Sequence, residues 1–354
     1  MNVHQLETPA LILDLDRYEE NFRIMKNFTE ANGIRLRPHY KSHKCTWIAH
    51  DQIAAGAKGI TCATLGEAED AARAGIEDIL IANQAPQMSK VTRIAYLATC
   101  CRLTVCVDST ENIAALEAAA ALESAAIHVL VEYDVGMRRC GVTDAEEFLL
   151  LAKLADAAPH LVFEGIQAYA GNLSHEADFE KRKKNSDWVE SRLSALKKYV
   201  ENAGLKIREV SGTSTGTVQF RPKNSVYTEI QPGSYIFMDK AYSLLNLPFR
   251  NALFLLTQVI SVVGKERIVT CGGMKSISVD QANPSLAEYP GIPVEMSEEH
   301  CTLPFVPEGI TVGDYLRLIP GHCCTTMNLH DHMYLVRKDK VMDRREIVSR
   351  GKSR

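Results

Sequence analysis

Gly59-Ile60-Thr61-Cys62-Ala63-Thr64-Leu65-Gly66-Glu67-Ala68-Glu69-Asp70-Ala71-Ala72-Arg73-Ala74-Gly75-Ile76-Glu77-Asp78-Ile79-Leu80-Ile81-Ala82-Asn83 divides into three pieces. Residues 59–63 form a short apolar run suited to a buried strand. Residues 66–74 carry helical spacing, and Gly75 follows where a helix C′ residue often turns left-handed. Residues 78–83 are apolar again. This strand–helix–strand unit repeats in both directions. Further strands are expected at 10–14, 35–39, 102–108, 127–133, 163–169, 209–213 and 226–233. Helices are expected at 17–31, 46–55, 89–98, 111–122, 145–157 and 176–203. Gly33, Gly56 and Gly204 repeat the position of Gly75, and Ser109, Asp144 and Ser174 stand where N-caps would serve.

Repeated βα units imply a parallel sheet, and eight of them close a barrel. Nine strands are one too many. The first, Ala10-Leu11-Ile12-Leu13-Asp14, is the one to leave out, because it could join a second sheet. After about Tyr242 the pattern changes to short alternating runs at 254–263, 267–271, 315–319, 333–337 and 345–349, separated by prolines and glycines. The expected fold is therefore α/β, a (β/α)8 TIM barrel over 11–243 followed by an antiparallel β domain over 244–354 that takes in the N-terminal strand within 1–15. The run at 181–184, Lys-Arg-Lys-Lys, reads as a solvated helix face.

The chain has 354 residues, 46% of them apolar and 24% charged, with net charge −4. These values are ordinary for a globular protein and give no reason to expect nucleic acid or anionic membrane as a partner. No segment reaches the roughly 18 apolar residues of a membrane span, and no export signal is visible at the N-terminus. Ten cysteines scattered through apolar runs are expected to be reduced thiols in a cytoplasmic protein.

In such a barrel the active site gathers residues from the C-terminal ends of the strands. Here those ends carry Lys41, Asn83, Asp108, Asp134 with Arg138 and Arg139, Gln167 with Tyr169, residues 211–217 and residues 231–235. Lys41 lies in Arg37-Pro38-His39-Tyr40-Lys41-Ser42-His43-Lys44, where Pro38 rules out a continuous helix. A lysine there is either a solvated charge or, held in a pocket with a lowered pKa, an amine able to form a Schiff base. Ser211-Gly212-Thr213-Ser214-Thr215-Gly216-Thr217 and Gln231-Pro232-Gly233-Ser234-Tyr235 each interleave small hydroxyls with glycine. Alone, either is an ordinary turn. Together, opposite a lysine on the first barrel strand, they suit a phosphate held by backbone N–H groups. A phosphate plus an aldehyde-capturing lysine points to pyridoxal 5′-phosphate. An arginine from Asp134-Val135-Gly136-Met137-Arg138-Arg139-Cys140-Gly141 either donates to that cofactor's ring nitrogen or pairs with Asp134 at the surface.

Gly321-His322-Cys323-Cys324-Thr325 supplies a second signal. If extended, His322 and Cys324 point the same way, and imidazole with thiolate suits zinc with positions left for water and substrate. The alternative is a buried histidine beside two core cysteines. His330, Asp331 and His332 read as the start of a strand and not as ligands.

Taken with Thr8-Pro9-Ala10, the octad ending at Lys44, Asp134–Gly141, Gln167-Ala168-Tyr169, 211–217, 229–239 and 320–331, the chain resembles the D-threonine aldolase and D-serine dehydratase family of alanine-racemase-like, fold-type III enzymes. The resemblance covers essentially the whole length. It implies that Lys41 carries pyridoxal 5′-phosphate through an imine, with Arg139 at the ring nitrogen and Gln167 and Tyr169 near the ring. Thr213, Ser214, Thr215 and Gly216, with Gly233, Ser234 and Tyr235, would surround the phosphate. His322 and Cys324 match a metal pair for zinc first, manganese or magnesium next. It also implies a homodimer.

The expected activity is a metal-assisted lyase on D-3-hydroxy amino acids, giving glycine and an aldehyde. The alternative is a zinc-dependent dehydratase on D-serine or D-3-hydroxyaspartate, giving a 2-oxo acid and ammonia. Family aldolases usually carry Asp at the second ligand position and the dehydratases Cys; Cys324 follows the dehydratases, whereas the surrounding Pro-Gly-His and Asn328-Leu329-His330-Asp331 look like the aldolases. An amino-acid racemase would need an acid/base such as Tyr289, Tyr315 or Tyr334 and no metal. A cofactor carrier without catalysis would need only the barrel.

Overall fold

The computed structural model describes residues 1–354. It divides into two compact units. One comprises Lys26–Lys41, Thr46–Gly233 and Lys352–Arg354, and the other comprises Met1–Met25, Ser42–Cys45 and Ser234–Gly351. The sequence reading drew the line after 243; the compact units part after Gly233, and residues 42–45 of the lysine octad belong to the second unit.

In the first unit, eight parallel strands follow one another around a barrel. They are β2 (Arg35–Leu36), β3 (Ile60–Cys62), β4 (Asp78–Ile81), β5 (Arg102–Val107), β6 (Ile127–Glu132), β7 (Leu161–Ala168), β8 (Glu209–Gly212) and β9 (Glu229–Ile230). The label β1 is kept for Ala10–Asp14, which pairs in the other unit. The β2–β3 gap is closed by Lys58 N–H to Leu36 O at 2.8 Å, Thr61 N–H to Pro38 O at 2.9 Å and a bridge between His39 and Thr61. β2 is shorter than expected because Pro38 has no N–H to continue the ladder.

Helices follow most strands, as the spacing required. Residues 145–157 form one of them. Asp144 caps it by accepting from the N–H groups of Glu146 and Glu147, and both glutamates favour the positive end of the helix dipole. Phe148, Leu151, Ala152 and Ala155 make its buried stripe. Ser109 caps Thr110–Glu123 as expected, and Gly33, Gly56, Gly75 and Gly204 have φ of +63°, +103°, +85° and +91°. Two readings are corrected in the long helix Phe179–Asn202. It starts three residues late, because Asp178 and not Ser174 caps it. Arg182, expected to be solvated, is buried between the Phe179 and Phe220 rings and donates to Glu176 O. A guanidinium can stack on aromatic faces, and a charge count cannot reveal that.

The barrel interior departs from the usual branched aliphatic filling. Leu80, Cys106 and Leu130 form a small apolar cluster. Fully buried Arg37 donates to Glu229 at 2.9 Å and Asp78 at 2.8 Å. Gly59 admits that guanidinium: a Cβ there would lie 2.7 Å from Arg37 Nη1.

The second unit is built on β10 (Leu253–Val263), which pairs antiparallel with β1. Further strands are β11 (Arg267–Thr270), β12 (Ser285–Leu286), β13 (Glu295–Met296), β14 (Cys301–Leu303), β15 (Tyr315–Ile319), β16 (His332–Arg337) and β17 (Lys340–Glu346). The first strand does leave the barrel for this sheet. All pairs are antiparallel except β1 with β16, and the strand expected at 345–349 is instead the hairpin partner β17. Along β10, Phe254 and Leu256 face a core with Val3, Leu6, Ala10, Ile12 and Val336. Leu255 and Val259 face another with Ile268, Leu286 and Leu318. No helix is long and apolar enough to cross a membrane.

Candidate active site

Beyond β2 a 3₁₀ turn, Tyr40–Ser42, carries Lys41 into a cavity of about 160 Å³. Lys41, Asn83, Arg139, Gln167, Tyr169 and Gln231 line it. Lys41 Nζ lies 5.5 Å and the Arg139 guanidinium carbon 5.6 Å from the centre of the Tyr169 ring. Arg139 pairs with Glu132 at 3.6 Å and not with Asp134. Asp134 instead accepts from the N–H groups of Gly136 and Arg138, which shapes the turn. Burial raises the Glu132 carboxyl pKa, against a hydrogen bond from Gln84 and the charge of Arg139. Gln84 and Glu132 were missed in the sequence; their only signal was position beside a strand end.

At the end of β8 the buried backbone packs closely at two points where no side chain fits. A Cβ on Gly212 would run into Ala168 O, and one on Gly216 into Ser174 O. Between them Thr213 has φ +71°, a strained value for a β-branched residue that is characteristic of functional turns. Ser214 begins the 3₁₀ helix Thr215–Phe220 with a capping box to Thr217. The Thr215 hydroxyl is buried with no hydrogen-bond partner. An orphaned donor in a strained turn flanked by glycines is what an anion would satisfy. Gly233 closes this unit after β9.

Ser234, Tyr235, His322 and Cys324 lie in the second unit. Tyr235 is buried with its ring against Phe22 and Phe249, so its backbone is what it can offer a ligand. Ser234 Oγ stands 3.6 Å from Cys324 Sγ. The extended condition for pairing His322 with Cys324 is not met: His322 is the N-cap of a short helix, Cys323–Met327, and Cys324 lies in its first turn. The two side chains still meet. Cys324 is driven well below the usual thiol pKa, first by the Cys323 hydrogen bond and then by His322 and Ser42. Its thiol lies 3.2 Å from Ser42 Oγ. Burial would lower the His322 pKa, but Cys324 and Asp280 raise it to about 10. His322 Nδ1 is 3.0 Å from Asp280 Oδ2. Asp280 in turn is gripped by Ser278 and Thr325, an orienting carboxylate with no local sequence signature. Asp239 accepts from the Cys323 N–H at 2.9 Å and anchors the helix start. No group of three or more His, Cys, Asp and Glu side chains is placed to hold a metal ion on its own. His330 Nε2 donates to Ser276 O at 2.7 Å, and His332 opens β16. Of the racemase candidates, Tyr289 packs on Phe305, Tyr315 stacks on His4 and Tyr334 meets His332 edge-on.

Residues 13–241 match the alanine racemase N-terminal domain, and residues 252–336 match a putative serine dehydratase domain. The chain is 36% identical to D-threonine aldolase from Arthrobacter sp, over 99% of this chain and 94% of the relative. Identity to 3-hydroxy-D-aspartate aldolase from Paracoccus denitrificans is 38%, with the same coverage. The chain belongs to the D-threonine aldolase and D-serine dehydratase family. Among solved structures, a D-threonine aldolase from Filomicrobium marinum superposes with TM-score 0.96 at 34% identity, covering 99% of this chain and 98% of that one. D-threo-3-hydroxyaspartate dehydratase from Delftia sp. HT23 gives 0.90 at 26% identity, with 98% of both chains covered. Both branches of the family therefore share this fold, and the alanine racemase domain marks it as the fold-type III, pyridoxal phosphate-dependent class.

Proposed function

We propose that the protein is a pyridoxal 5′-phosphate- and divalent-metal-dependent lyase that cleaves D-3-hydroxy amino acids to glycine and an aldehyde. The observation that carries this reading is Lys41 in one cavity with Arg139, Gln167 and Tyr169. The aldolase relatives, matched over 99% of the chain, support it.

The residues suit the cofactor. The unpartnered Thr215 hydroxyl in a turn flanked by Gly212 and Gly216 suits a phosphate, with Thr213, Ser214 and Gly233 as its further contacts. Pyridoxal 5′-phosphate, when bound, supplies an electron sink for charge left at the substrate Cα. Lys41 would hold its aldehyde. Arg139, always protonated, would donate to the ring nitrogen and could not accept a proton from it. Gln167 and Tyr169 would orient the ring.

The donor set at His322 and Cys324 suits zinc: one imidazole steered by a carboxylate and one thiol held toward thiolate. Two protein ligands leave positions for water and a hydroxyl, and manganese or magnesium are the other candidates. A metal here would act as a Lewis acid on the substrate hydroxyl. A D-3-hydroxy amino acid carries both an amine and that hydroxyl.

The second reading is dehydration of D-serine or D-3-hydroxyaspartate to a 2-oxo acid and ammonia, with Lys41 taking the α-proton. Cys324 favours it. The protein would be incubated with D-threonine, D-serine and 3-hydroxy-D-aspartate, and glycine and ammonia measured. Glycine with an aldehyde is expected; ammonia and a 2-oxo acid without glycine would reject cleavage. We further take the active form to be a cytoplasmic homodimer, so light scattering should give twice the 39.2 kDa chain mass.

A further inference from the structure

One row of the barrel interior is polar across four adjacent strands. Parallel pairing sets Glu132 opposite Gln167, Gln167 opposite Ser211, and Ser211 opposite Glu229. Gln231, next but one after Glu229, points the same way. Gln167, Ser211, Glu229 and Gln231 are all at most 3% exposed, so each must find its partners inside.

The direction of every bond in this chain follows from one charge. Glu229 is gripped by Arg37 Nε at 2.9 Å and by Lys58 Nζ at 3.2 Å. Between two cations it is an anion and can only accept. Ser211 Oγ, 2.6 Å from Glu229 Oε1, must therefore donate its single proton there. Its oxygen is left as an acceptor, so the Gln231 atom 2.7 Å away has to be the amide nitrogen. The second N–H of that amide meets Gln167 at 2.8 Å, where only the oxygen can receive it. The Gln167 nitrogen is thereby fixed as well. It lies 3.4 Å from Gln231 Oε1, a weak bond at most, and keeps an N–H to spend at the cavity it lines.

We propose that the Arg37–Glu229 ion pair acts through Ser211 and Gln231 as a positioning relay that turns a donor, the Gln167 amide N–H, toward the ligand of the Lys41 cavity. The ligand atom that meets Gln167 is then an acceptor, such as an oxyanion or a ring-borne oxygen, and not a group that can only donate. This rests on the cofactor reading above for the identity of the ligand, but not for the orientation of the amides. Without Ser211 the sequence of forced choices is broken. Both amides can then turn over, and an acceptor can face the cavity.

The test uses Ser211→Ala, Ser211→Thr and Gln167→Glu in the full-length protein, with two readouts. In the cofactor-free protein, side-chain amide hydrogen exchange of Gln231 and Gln167 is followed by NMR. Protection is expected in the wild type and in Ser211→Thr, and loss of protection at Gln231 in Ser211→Ala. In the second arm, pyridoxal 5′-phosphate is titrated in and its dissociation constant and visible band are recorded across pH. Ser211→Ala should bind about tenfold more weakly, which is about 1.4 kcal/mol, with a shifted band. Gln167→Glu, isosteric but unable to donate, should be weakened at least as much. Ser211→Thr should restore wild-type behaviour. Unchanged amide protection in Ser211→Ala overturns the relay. So does a Ser211→Thr as impaired as the alanine variant, since packing alone would then explain both. A Gln167→Glu that binds normally overturns the donor assignment. Wild-type protein that takes no pyridoxal phosphate would overturn the cofactor reading, while the amide arm still decides the relay.

Discussion

His322 Nδ1 is committed to Asp280, which leaves Nε2 as the ring nitrogen that can meet a metal. Removing an orienting carboxylate of this kind typically weakens metal affinity by roughly 10–100-fold. Asp280→Ala is therefore expected to fall in that range by competition with a chromophoric chelator, while Cys324→Ala should lose the metal outright. Both should still bind pyridoxal phosphate with a visible band, because the residues of the Lys41 cavity are untouched. Lys41→Ala should do the reverse, losing the band and keeping the metal. A Lys41→Ala protein that retains the band would sink the assignment of Lys41. At this scale the sequence was informative where residue type and position agree. Lys41, Arg139, Gln167 and Tyr169 stand at strand ends, and period two sends alternate residues inward. Asp280 and Glu132 were not legible, since each takes its meaning from a partner outside its own element, His322 lying 42 residues from Asp280 and Arg139 seven from Glu132.

Elements were most legible where local chemistry decides them. Residues 145–157 carry their own cap, acidic first turn and apolar stripe, and the helix occupies those residues. Asp144→Ala removes acceptors from two N–H groups and should cost about 1 kcal/mol. A fall in urea midpoint with unchanged slope is the expected observation; a midpoint equal to wild type would show the cap to be idle. Elements set by tertiary partners were harder to read. The strand expected over 226–233 survives only as Glu229–Ile230, because after the Gln231 N–H bonds Gly212 O the next residue, Pro232, has no N–H to continue the ladder. The two-residue strands Ser285–Leu286 and Glu295–Met296 are too short to carry a period. At His322 the pairing with Cys324 was read on the condition of an extended backbone, yet Asp239 accepts the Cys323 N–H and a helix starts instead.

For the molecule as a whole, the barrel's ionic filling sets a dependence on pH. Burial alone would raise the Glu164 carboxyl pKa, but hydrogen bonds from His128 and Arg102 lower it from 4.5 to about 2. A depressed carboxyl stabilises the fold fully above its unfolded value, and that contribution is lost as pH falls through the folded one. Stability should therefore drop between about pH 4.5 and pH 2. Glu164→Gln should flatten this part of the profile of urea midpoint against pH; a slope unchanged from wild type would remove Glu164 as its cause. The βα alternation made the barrel legible from end to end. The polar row through it was not, because the inward residues of any one strand look like ordinary amphipathic alternation.

The pairing of Ile12 with Tyr334 also governs what happens on the ribosome. About 320 residues separate the two, roughly 15–65 s of translation at typical elongation rates. Throughout that interval Ala10–Asp14 is an apolar ribbon with an open edge, whatever the barrel has already achieved. Newly made chains should thus depend on a holdase or on slow, cool expression to escape aggregation.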